Sequence, residues 1–458
     1  MSIVFQPFQI SDKSLFERHL RQSGRIGEHA FANLFCWQHA YGSQWAECED
    51  RLIVRTRAEG MDSCSKYIIL PDIRTPHLSH ILKMIEEDAE QSPYVIAQMS
   101  PEEAEELQQM FQDHFLWNVP RSSMDYIYPV EQFKTFKGRK LAAKRNHVNK
   151  FKSLYDYHYE TLDTSHFEEC LRLEQQWRSG QSDPTGQLLA EEQVIRMAFE
   201  HYHELDCLGG ALFVGDTLVA FTYGTPLNHD IFDIHIEKGD TRYEGVFPMI
   251  SQQFALHLPE QYRLLNREED LGLPGLRKSK LSYNPCRLEQ KWCARPMSAD
   301  LKDIVDLWQT CFHDERAFVD AFLSRFYKPQ HAITRKAEGH IVSLCLLVPC
   351  DSLVGRIGYL YGISTREEFR CKGLAEQTIR EAIDYCRKQS MAAVALIPES
   401  DVLSAYYTRF GFSSQRIPVA FTNDIDLGTG QPEYDKAMLL WLNGSQDIET
   451  LVLTAEEI

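Results

Sequence analysis

Apolar and polar positions along the chain fall into short runs of two kinds. RLIVRTR, KYIIL, GGALFVG, TLVAFTYGTP, DIFDIHIEKGD, HIVSLCLLVPC and AAVALIP read as strands; LFERHLRQSG, FEECLRLEQQWRS, EEQVIRMAFEHYHEL and SADLKDIVDLWQTCF read as helices. Gly215 and Asp216 stand between two apolar runs and predict a hairpin turn. Ser298 occupies an N-cap position, and Pro296 closes the strand before it. The segment 375–390 places Ile379, Ala382, Ile383 and Cys386 on one stripe, as a helix packed on a sheet requires. In the middle region DPTG predicts a loop between two helices.

These runs group into three segments, 1–125, 126–293 and 294–458, and the fold class they predict is α/β with mixed sheets in repeated units. The second and third segments resemble each other. DIHIEKGDTRYEGVFPMISQQFA and YLYGISTREEFRCKGLAEQTIREA share an order of strand, Arg-x-x-Gly turn and helix. Each is followed by a short strand, YRLLN or AAVALIP, roughly 20 residues past the glycine. That order suggests a duplicated fold.

A chain of 458 residues is too long for one ordinary core, in keeping with several units. A formal net charge of −18 argues against a protein that coats nucleic acid and leaves room only for a local basic patch. The twelve cysteines form no CxxC and no Cys/His cluster at metal-ligand spacing, so neither a disulfide framework nor a metal is expected. The most apolar stretch, IVSLCLLVPC, is about half the roughly 20 residues a membrane helix needs. The amino terminus lacks a basic start followed by an apolar run. A cytoplasmic protein without integral membrane association is the expectation.

Candidate chemistry concentrates in FRCKGLAEQ, residues 369–377. A strand ending at Thr365, the turn RCKGLA and a helix starting near Ala375 would leave unpaired backbone N–H groups at a helix start, where an anion is favoured. Gly373 lets the backbone approach a ligand, and Arg370 and Lys372 add positive charge.

GISTREEFRCKGLAEQTIREA followed by LIPESDVLSAYYTRFGF resembles the GNAT family of N-acetyltransferases over about residues 294–420. Members share a pyrophosphate loop of the form Arg/Gln-x-x-Gly-x-Gly/Ala, then a helix, a strand and a tyrosine shortly before Gly-Phe. Arg370, Gly373 and Ala375 fill the loop pattern, and Tyr407 precedes Gly411 and Phe412. Cys371 replaces the glycine usual after the arginine. The resemblance implies acetyl-CoA as acyl donor, its pyrophosphate on the amides of Arg370, Cys371, Lys372, Gly373, Leu374 and Ala375. The pantetheine would pair near Ile363 and Thr365. A small-molecule or peptide amine would be the acceptor, and Tyr407 would return a proton to the departing thiolate.

The region 1–293 resembles a bacterial family related to the carboxy-terminal domain of phosphatidylglycerol lysyltransferase, through KGRKLAAKRNHVNKF, HIEKGDTRYEGVFP and LNREEDLGLPGLRKSKLSYNP. The wider group is built from tandem GNAT-type folds, and relatives move an aminoacyl group from tRNA to a lipid or a peptide. No membrane-spanning region like that of the lysyltransferase is expected in this sequence, which argues against a lipid acceptor. Phe247 stands where the pyrophosphate turn needs a small residue, which disfavours CoA in this unit.

Lys134 to Lys152 holds eight Lys/Arg and no acid, including Lys144 and Arg145, and offers a contact for the phosphates of an aminoacyl-tRNA. NREEDLG gathers Arg267, Glu268, Glu269 and Asp270 at a strand end, near Glu237 and Lys238. With Arg277, Lys278 and Lys280 these charges suit an amino acid or an acceptor amine. The leading expectation is acetyl-CoA-dependent N-acetylation by the last unit. The alternatives are aminoacyl transfer by 1–293 and a non-catalytic ligand-binding protein.

Overall fold

A computed structural model describes residues 3–20, 26–57, 64–90, 92–111, 113–179, 187–423, 427–429, 435–444, 446 and 448–456. The DPTG loop lies outside them. The chain divides into two compact units, one of residues 1–107 and 119–293, the other of residues 108–118 and 294–458. The division expected near residue 125 falls within the first unit.

In the first unit, Gln44–Cys48, Arg51–Thr56 and Ser65–Leu70 form an antiparallel series, and Tyr94–Met99 joins it parallel to the third strand. A second sheet runs in the order Arg287–Glu289, Asp125–Pro129, Leu264–Asn266, Ile231–Gly239, Thr217–Pro226, Leu208–Val214, Tyr157–Thr161. Gly215 and Asp216 make the two-residue hairpin the pattern predicts. One core joins amino-terminal residues such as Phe16, Phe31 and Trp45 to Phe199, Phe221 and Tyr223 of the second-sheet region. Aromatic burial of this extent is a large part of what offsets chain entropy.

The second unit holds a seven-stranded sheet in which Ile357–Thr365 lies between His340–Asp351 and Ala393–Leu396. Helix Leu374–Lys388 buries Ile379, Ala382, Ile383 and Cys386 against it, the expected stripe. The helix begins one residue before the expected Ala375 and stops short of Ser390, which takes a left-handed φ of 54°. Ser298 caps its helix by accepting from the Leu301 amide at 3.2 Å.

The two units repeat one device. Ile231–Gly239 pairs with its parallel neighbour at only three positions, ending at Asp233 opposite Asn266. Ile357–Thr365 does the same, ending at Tyr359 opposite Ala395. Beyond those points each strand continues without that partner, so the sheet splays. Each also carries a bulge just past the splay, at His235 in one and at Gly362 and Ile363 in the other. Each then passes through a left-handed glycine, Gly245 at φ 85° or Gly373 at φ 75°, into a helix.

The two glycine corners differ in what covers them. A Cβ at Gly245 would meet the His147 carbonyl oxygen at 2.4 Å and Phe151 Cβ at 3.4 Å, because helix Ala142–Leu154 lies across the corner. At Gly373 nothing lies within 4 Å. Gly373→Ala is therefore expected to cost about 1 kcal/mol, the left-handed penalty alone. Gly245→Ala adds a backbone collision and should cost about 3 kcal/mol or more. Urea titration of each full-length variant checks this; equal losses would refute the closed corner.

Candidate functional site

The corner of the second unit is assembled from backbone. Residues 370–373 are exposed, and Gly373 is an N-cap with no side chain bonded across it. The first N–H groups of helix Leu374–Lys388, those of Leu374 and Ala375 included, have no carbonyl one turn back and face this opening. Cys371 takes a φ of 59°, which is the physical reason a glycine is usual there. Lys372 leans over the Phe369 ring at 4.7 Å, and Arg370 donates through Nε to the Thr365 carbonyl at 3.2 Å. That carbonyl is thus already used.

Ile363 sits in the bulge, past the last parallel pair. Tyr407 is buried in the core cluster that includes Cys345 and Leu360, with Ile363 packed against it. Its hydroxyl has no hydrogen-bond partner among the described residues, and burial raises its pKa, with Cys345, Tyr406 and Glu399 adding to the effect. The phenol therefore stays protonated at neutral pH, as a proton donor must.

In the first unit the splay is lined by charge instead. Asp233 closes the last parallel pair and is fully buried. His235, in the bulge, places Nε2 2.8 Å from Thr225 Oγ1 and Nδ1 3.0 Å from Glu268 Oε1. Glu268 holds a left-handed φ of 54° and also accepts from Asn33 Nδ2 at 2.8 Å. Strain at a charged residue of this kind is stored where a side chain must be aimed.

Beside this trio, the ammonium of Lys291, 1% exposed, contacts Glu28, Asp125 at 2.6 Å and Glu269 at 3.3 Å. Asp125 Oδ2 further accepts from the Gly27 amide at 2.9 Å and Asn266 Nδ2 at 2.8 Å. Burial alone would lower the Lys291 pKa, but Asp125, Glu28 and Glu269 more than reverse it. Burial drives Asp233 well above the carboxylate range, and Glu268 and Asp125 reinforce that.

The remaining expected residues scatter around these trios. Arg267 pairs with Glu237 at 2.7 Å and lies over the Tyr283 ring, which Lys144 covers from 3.7 Å. Desolvation and the neighbouring Arg267 push Lys144 down to about 8. Arg145 turns away to the Phe136 carbonyl at 2.7 Å. Asp270 is bound by Arg277, Arg121 and the Tyr126 hydroxyl. Lys280 donates to the Glu268 and Glu269 carbonyls at 3.1 and 2.6 Å, whereas Lys278 is exposed. The structure thus brings Glu268 and Glu269 into the buried cluster, leaves Lys278 outside it and separates Lys144 from Arg145. Sequence reasoning missed Glu28, Asp125, Asp233, His235 and Lys291.

Splayed and bulged strands, each leading through a glycine corner to a helix, define repeated GNAT-type units, an acyltransferase architecture. The chain belongs to the family described as phosphatidylglycerol lysyltransferase, C-terminal, whose model matches residues 20–295. Residues 294–414 match the acetyltransferase (GNAT) domain. A conserved protein of unknown function from Bacteroides thetaiotaomicron VPI-5482 is similar at 33% identity, with 64% of this chain covering 100% of that one at a TM-score of 0.60. L-PGS from Bacillus licheniformis is 14% identical over 62% of this chain and 92% of that one, with a TM-score of 0.44. An uncharacterized protein of Mycoplasmoides gallisepticum is 26% identical over 173 residues, 36% of this chain and 54% of that relative. The chain thus spans about half the length of that curated relative. Among the described residues no helix is long and apolar enough to cross a membrane.

Two outcomes follow from the buried charges. Lys291→Met leaves three carboxylates without their ammonium and is expected to cost about 3–5 kcal/mol in urea unfolding; a loss under about 1 kcal/mol would refute the compensation. His29 is buried, and desolvation, then Lys291, lowers its pKa from 6.5 to about 4. The unfolded chain therefore binds the extra proton first. The stability from neutral His29 is complete above pH 6.5 and is lost toward pH 4, a change of about 3 kcal/mol. Stability measured against pH should fall less steeply in that window for His29→Gln.

Proposed function

We propose that the unit of residues 294–458 is an acetyltransferase that moves an acetyl group from acetyl-CoA to an amine. The observation that carries this reading is the open Gly373 corner, whose counterpart at Gly245 is filled by the protein's own helix. The amides of Lys372, Gly373, Leu374 and Ala375 suit a diphosphate, and the unpartnered edge past Tyr359 suits an extended pantetheine arm. Acetyl-CoA would supply a thioester. The amine nitrogen bonds to the acetyl carbon as the carbon–sulfur bond breaks, and the nitrogen then releases a proton to solvent. Tyr407 gives its phenolic proton to the leaving sulfur.

A second reading concerns the first unit. Its family membership, together with the closed Gly245 corner, favours a donor other than CoA, and an aminoacyl group carried by tRNA fits. Lys137, Arg139 and Lys140 are exposed, Lys150 and Lys152 are exposed but paired with Glu244 and Gln252, and Lys144 and Arg145 are engaged internally. The phosphate contact on this reading is therefore the 137–140 stretch.

Acetyl-CoA at 100 times its dissociation constant is expected to stabilise the second unit by about 2.7 kcal/mol. Gly373→Glu should abolish that shift, and Tyr407→Phe should keep it while slowing turnover. No shift at saturating acetyl-CoA would remove the proposal.

A further inference from the structure

Two carboxylate-bearing trios lie side by side in the first unit, and only one has its cation. Glu28, Asp125 and Glu269 bring oxygens within 4.8 Å of one another, and Lys291 stands among them. Asp233, His235 and Glu268 are gathered as closely. Here, among the described residues, no ammonium or guanidinium is bonded to the acids. Asp233 is 0% exposed, and among the described residues neither of its oxygens has a hydrogen-bond partner. Leaving a carboxylate so buried and unpartnered costs several kcal/mol unless something positive or protonated faces it.

The donors around that carboxylate select among cations. His235 Nδ1 lies 3.0 Å from Glu268 Oε1 and 3.7 Å from Asp233 Oδ2. Ligands about 2.1 Å from one ion stand roughly 3.0–3.4 Å apart, so a small inward shift of Asp233 completes the set. Thr225 Oγ1, 2.8 Å from Nε2, can accept that N–H and so turn the Nδ1 lone pair toward the acids, the outer-sphere support a metal-bound histidine needs. Asn33 holds Glu268 from the other side. Space is kept by Gly27, where a Cβ would come within 3.0 Å of Asp233 Oδ2 and 3.3 Å of Glu268 Cγ. Glu268, with its side chain 25% exposed, leads outward.

The geometry points to a divalent-metal site formed by Asp233, His235 and Glu268, suited by its one imidazole and two carboxylates to Zn²⁺ or Mn²⁺. This goes beyond either acyl-transfer reading, and its test needs neither donor nor acceptor, so each can fail alone.

The full chain, stripped with chelator, is dialysed against Zn²⁺ or Mn²⁺, and bound metal is counted by mass spectrometry. One equivalent is expected. Asp233→Asn and His235→Gln should lose it while keeping the wild-type circular dichroism, and Thr225→Val should weaken it about tenfold. Because these variants alter a buried site, Mn²⁺ electron paramagnetic resonance of the wild type, with nitrogen coupling expected from His235, gives a readout independent of them. No stoichiometric uptake of either ion overturns the proposal, as does full retention in Asp233→Asn; the first result would mean that Asp233 is simply protonated.

Discussion

The first unit is organised around one ammonium. Lys291 is out of water, and so is Asp125, and a buried ion carries a penalty of several kcal/mol that only close opposite charge offsets. Its three partners come from the Gly27–His29 turn, the start of the Asp125–Pro129 strand and the loop after Leu264–Asn266. One side chain therefore pins segments separated by most of the unit's length. The Gly27 amide and Asn266, both bonded to Asp125, tie the same segments a second time through neutral donors. An apolar residue at 291 would leave those carboxylates facing each other, with only the neutral bonds to Asp125 left to join the segments.

The duplicated device shows how one backbone geometry holds two different linings. Splay, bulge and left-handed glycine recur because they follow from backbone geometry, which tolerates wide change in side chains. What diverged is the filling. In the second unit the splay is lined by apolar residues and a tyrosine, with the helix start open. In the first, a basic helix covers the helix start, and the splay holds Asp233 and His235. Because the His147 carbonyl lies against the Gly245 corner, no substitution at Phe247 alone opens it. The Phe247 ring, taken from the sequence as the obstacle, packs back toward Gly239 instead. Function follows the lining rather than the fold.

Local features were legible in the sequence for a reason. The hairpin at Gly215 and Asp216, the Ser298 cap, the end of the strand at Thr365 and the stripe of helix Leu374–Lys388 each depend on residues a few positions apart. So does the glycine corner. The buried cluster depends on residues from 28 to 291, each of which alone reads as a surface charge. One signal was present: Asp233 and His235 interrupt an apolar strand, DIFDIHIEKG, at positions two apart, hence on one face as far as the bulge allows. The internal pairing of the basic run was not legible: Lys150 pairs with Glu244, Lys152 with Gln252, and Lys144 with an aromatic face, partners that lie far along the chain.

The two trios are electrically one system. Burial raises the Asp233 pKa first, Glu268 and Asp125 add to it, and Lys291 opposes them. Positive charge in the second trio would ease ionisation of Asp233, and of Glu28, whose pKa burial raises. Without such a charge Asp233 is the acid that takes a proton, because burial disfavours its ionised form and among the described residues it has no hydrogen-bond donor, whereas Asp125 is held by Lys291, the Gly27 amide and Asn266. The acid without partners is the one whose charge state can change without unpinning the scaffold, and it is also the one that closes the strand pair where the sheet opens.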